Sequence, residues 1–81
     1  MALVFDGFAD EKTANKFADK VKKSFKLDSL VFLSQEESDE VDPFPFVLNP
    51  PIVLVKRSDD DVVESKVIKA VEAFGGEWAG T

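Results

Sequence analysis

The sequence predicts one small α+β domain over residues 1–81: a two-layer sandwich with two amphipathic helices on a small mixed sheet. Three observations predict it. Short apolar runs rich in β-branched and aromatic residues stand at 2–5, 30–33 and 52–55. Two longer stretches, near 10–27 and 58–74, carry apolar residues at helical spacing instead. The two patterns alternate along the chain, in an order closest to the ferredoxin-like βαββαβ type. That likeness is one of fold and carries no function.

The first strand, Ala2-Leu3-Val4-Phe5, ends at the turn signal Asp6-Gly7. Phe8 follows and is placed to fold back over the start of the first helix. In that helix Ala14, Phe17, Ala18, Val21 and Phe25 form one stripe, with Asp10 as N-cap and Glu11 against the positive end of the dipole. Lys22, Lys23 and Lys26 crowd its last turns, where cations are favoured. Lys12, Lys16, Lys20 and Lys23 fall within about 80° of one another, opposite the apolar stripe. Asp28-Ser29 turns the chain into a second strand at 30–33. Strand, helix, strand in this order predicts a right-handed crossover with the two strands parallel.

Residues 35–51 read as one long connecting segment. Five acids in 35–42 predict a solvated loop. All four prolines of the chain follow, at 43, 45, 50 and 51, so the next stretch is stiff and extended. Phe46-Val47-Leu48 is expected as a short edge strand and Asn49-Pro50 as a turn. Ile52-Val53-Leu54-Val55 is the expected central strand. Ser58 is the expected N-cap of the second helix, with Asp59, Asp60 and Asp61 in its first turn. Val63, Val67, Ala70, Val71 and Phe74 make its stripe, and Gly75-Gly76 stops it. Residues 77–81 add a short final strand.

Composition excludes several chemistries. There is no cysteine and no histidine, which removes nucleophile–histidine catalysis and zinc in its usual forms. No phosphate-binding glycine loop is present. The acidic stretch lacks the spacing and central glycine of a calcium loop, so no metal and no cofactor is expected. The net charge of −6 argues against a general nucleic-acid binder. No apolar run suits a membrane span, no signal peptide is read, and a cytoplasmic protein is expected.

Candidate contact residues remain. Lys12, Lys16, Lys20 and Lys23 would suit an acidic partner or a nucleic-acid backbone, or form a plain solvated face. Phe44 and Phe46, held between prolines, would anchor a partner or plug the domain's own core. Trp78 is a core-closing or contact residue. The strands are apolar on both faces, so two helices on one side would leave an apolar patch on the other. Three things could cover it: a helix, the Pro/Phe segment, or another chain. The leading expectation is a non-catalytic interaction or regulatory module, a homodimer or a binder of a protein partner through the sheet face. The alternative is an anion or small-ligand site, or weak enzyme, at Asp6-Gly7-Phe8.

Overall fold

A computed structural model describes residues 1–81. The elements run β1 (Leu3–Asp6), α1 (Glu11–Phe25), β2 (Ser29–Phe32), α2 (Gln35–Val41), β3 (Ile52–Val55), α3 (Asp61–Ala70), a 3₁₀ turn (Val71–Phe74) and β4 (Glu77–Gly80). The class is α+β, with one four-stranded sheet in the order β2-β3-β1-β4. No helix is long and apolar enough to cross a membrane.

The sheet is antiparallel throughout rather than mixed. β1 and β2 do run the same way, because each is antiparallel to β3, but β3 lies between them. The reason is apolar content: Ile52–Val55 is buried along its whole length, and an inner position is where such a strand loses most water.

α1 and α3 cover one face. Leu3, Phe5, Val53 and Val55 meet Ala14, Phe17 and Val21 of α1, Val67 of α3 and Val71 of the 3₁₀ turn. Of the predicted stripe residues, Ala14, Phe17, Val21, Val67 and Val71 are buried, and Ala18, Phe25, Val63, Ala70 and Phe74 are partly buried against them. Phe17 lies at the centre, with ring centroids 5.1, 5.6 and 5.7 Å from Phe5, Phe8 and Phe74. Asp10 caps α1 by accepting the Thr13 amide, and Lys26 closes the helix in the left-handed region at φ 60°. Gly75, at φ 76°, ends the second helical stretch as expected. The N-cap of α3 is Asp60, not Ser58. The Ser58 hydroxyl, two residues before that cap, accepts from the Asp60 amide.

The opposite face holds the largest departure from expectation. The acidic stretch is not a loop but the helix α2, begun by Ser34, whose hydroxyl caps the Glu37 amide. Ser34-Gln35-Glu36-Glu37 fits the S-x-x-E pattern of a helix start, and that local signal outweighs the charge run. α2 packs over β2 and β3, with Ser38 fully buried. Residues 46–48 do not form an edge strand. They run over the sheet, held by the Gln35 amide, which donates to the Phe46 carbonyl at 2.7 Å and accepts the Leu48 amide at 2.8 Å. Val4, Leu48, Ile52 and Leu54 form a second core there, flanked by Phe32 and Phe44. The chain therefore covers much of its own second face, and a two-layer sandwich with one open side does not describe it.

Candidate contact surface

The Asp6-Gly7-Phe8 turn is occupied from within. The Asp6 carboxylate accepts the Asn49 amide and the Gly7 amide donates to the Asn49 carbonyl, both at 2.7 Å. Phe8 is buried in the first core. The nearby start of α1 is satisfied by Asp10, whose carboxyl is held below its usual range chiefly by the Thr13 hydroxyl and then by the Thr13 amide.

Lys12, Lys16, Lys20 and Lys23 are exposed on α1, and none of them forms an ion pair. The lysine of this helix that does pair is Lys22, 2.6 Å from Asp28. Asp19 falls in the same sector, about 20° from Lys12. The face is therefore basic but interrupted.

The two phenylalanines of the proline-rich segment separate in role. Phe44 is half-buried against the second core and lies over Gly80, where a Cβ would meet its ring at 3.6 Å. Phe46 is 71% exposed and Val47 is 95% exposed. Trp78 sits half-exposed on β4, paired across the sheet with Phe5.

Sequence reasoning missed two features. The first is a polar latch. Glu64, nearly buried on α3, accepts from Arg57 at 3.1 and 3.3 Å and from the Ser58 amide at 2.9 Å. These bonds, the Arg57 one foremost, hold its carboxyl below the ordinary range. Arg57 also donates to the Thr81 carbonyl, and the Thr81 hydroxyl donates to the Ala2 carbonyl. The spacing Arg57 to Glu64, flanking a helix start, was the available signal.

The second is the character of the two sheet edges. β4 is blunted: its pairing with β1 is irregular between Val4 and Phe5, it carries Glu77, and Gly80 sits at φ 142°. β2 is not blunted. It pairs with β3 in unbroken register, from Ser29↔Val55 to Phe32↔Ile52. Ser29-Leu30-Val31-Phe32-Leu33 contains no charge, proline or glycine. Leu30 and Leu33 are 53% and 54% exposed. The Lys56 amide donates to the Asp28 carbonyl, in line with that register, so residues 28, 30 and 32 bond to β3. Ser29 and Val31 accordingly turn their amides and carbonyls away from the sheet, and the trans peptide after Phe32 turns the amide of Leu33, at the bend that follows the strand, the same way. Beside this edge a groove of about 520 Å³ opens, lined by Met1, Leu30, Val41 and Leu54, with Asp28 and Lys56 at its rim.

Compared with family models, curated proteins and solved structures, the chain matches none.

Proposed function

We propose that this chain is a non-catalytic protein-contact module acting through the outer edge of β2. The carrying observation is that edge: five uncharged residues, no bulge, and backbone groups directed outward at Ser29, Val31 and the Leu33 amide. A strand of this kind templates the addition of another extended chain, with backbone bonds for affinity and alternate side chains for selection. Leu30 and Leu33 are the apolar residues an added strand would cover. The order of elements, with β1 and β2 parallel and β3 between them, supports the ferredoxin-like reading of the fold, with α2 inserted before β3. In that reading the partly covered second face moves the contact from the middle of the sheet to its edge.

The test is an amide NMR titration with a terminally blocked peptide copying residues 28–34. Strand addition shifts the amides of Ser29, Val31 and Leu33 more than those of Leu30 and Phe32. A peptide that leaves all five in place, or that shifts residues of β4 instead, rejects the β2 edge as the contact.

A further inference from the structure

We infer that the strand taken up by β2 is the β2 of a second copy, paired antiparallel about a two-fold axis through Val31. This rests on the contact reading above and names its partner. A two-fold axis normal to a sheet keeps the same face of each copy on the same side, so paired residues must have outward-turned backbone groups in both chains. Ser29 and Val31 meet that requirement with both groups, and Leu33, at the bend after the strand, with its amide. Centring on Val31 pairs it with the partner's Val31 and Ser29 with the partner's Leu33 at either end. The Val31 amide and carbonyl, the Ser29 carbonyl and the Leu33 amide of each chain are then used, for about four backbone bonds. Centring on Leu30 or Phe32 leaves one outward pair beyond the strand.

Side chains fit the same register. Leu30 comes opposite the partner's Phe32 in the closely spaced type of pair, where aliphatic and aromatic groups gain most from contact. Both belong to the second face, so the exposed side of Leu30 and the mouth of the groove are covered together. Charge is complementary as well. The partner's chain beyond Leu33 runs alongside the residues before Ser29, bringing the exposed, acidic first turn of its α2, Glu36 and Glu37, towards Lys26 and Lys56. The axis repeats this contact. Asp28, at the crossing, already has Lys22 as its counter-ion. The β4 edge offers no equivalent, because its bulge and Glu77 oppose self-pairing.

A five-residue edge is a small contact, so the association is expected to be weak, with a Kd of about 10 µM to 1 mM. Sedimentation equilibrium of the full chain across that range should carry the average mass from 9.0 kDa towards twice that value. In a mixed sample of labelled and unlabelled chains, intermolecular contacts should connect Leu30 with Phe32. Val31→Pro removes an amide that the monomer does not use, and Leu30→Lys adds a charge at an exposed site. Each should raise the Kd about tenfold or more while the amide spectrum of the other strands is retained. A mass of 9.0 kDa at every concentration overturns the dimer. So does association that neither variant weakens, since it would run through another surface. If the chain stays monomeric while the blocked peptide still shifts Ser29, Val31 and Leu33, the contact reading stands and the self-pairing falls.

Discussion

Gly76 has no side chain, and the ring of Phe8 lies where its Cβ would stand, with a ring carbon 2.5 Å from that position. Phe8 is held between Phe17 and this glycine in the first core, so the ring cannot withdraw without disturbing Phe17. Gly76→Ala is expected to cost about 1–3 kcal/mol in denaturant unfolding, as overpacking does. Glu64 makes a second residue-scale prediction, in pH. Its folded-state pKa lies below the unfolded value, so its contribution is present above about pH 4.3 and is lost as pH falls through the folded value. Glu64→Gln should therefore lower stability at neutral pH and flatten the fall in stability on the acid side of about pH 4.3. Stability measured against pH for both chains checks it. Phe8 as an inward-turned residue was readable from its place after Asp6-Gly7. The bare carbon it needs at Gly76 was not, because the two meet only through the fold.

α2 shows how one element changes the reading of a whole face. Its seven residues include four acids and little to bury, yet Ser34 caps its start and Gln35 clamps the returning chain through both ends of its amide. Gln35→Ala leaves the Phe46 carbonyl and the Leu48 amide without these partners. The expected cost is about 1–2 kcal/mol, with faster hydrogen exchange at Leu48 than at the amides of α1. α1 was legible throughout: cap, stripe and lysine face all follow from spacing along one helix. α2 was hidden because its stabilising partners are distant in sequence, and a charge run by itself reads as solvated chain. The same gap explains residues 46–48, whose hydrogen bonds go to a glutamine side chain and not to a neighbouring strand.

For the molecule as a whole, the sheet has two cores, one on each side, and the second depends on residues 42–49 staying in place. Leu48 is buried against Val4, Ile52 and Leu54, so Leu48→Ala should cost about 2–4 kcal/mol and expose the second face to a hydrophobic dye. Phe46→Ala, two residues away but largely exposed, should change stability by less than about 0.5 kcal/mol. Equal losses from the two substitutions would mean that the segment packs differently. An 81-residue chain has little stability in reserve, so losing the second core should be visible as aggregation as well as in the unfolding midpoint.

From its sequence alone this chain was committed to an α+β class, to the strands and to the two long amphipathic helices, because periodicity and capping act over a few neighbouring residues. The missing cysteine and histidine likewise narrowed the chemistry before any fold was known. Which strand lies inside and which at an edge, whether a bulge blunts that edge, and what covers the second face were decided only by tertiary structure. Those properties belong to pairs of segments dozens of residues apart, and an apolar run such as 29–33 looks the same whether it has a neighbour on both sides or on one.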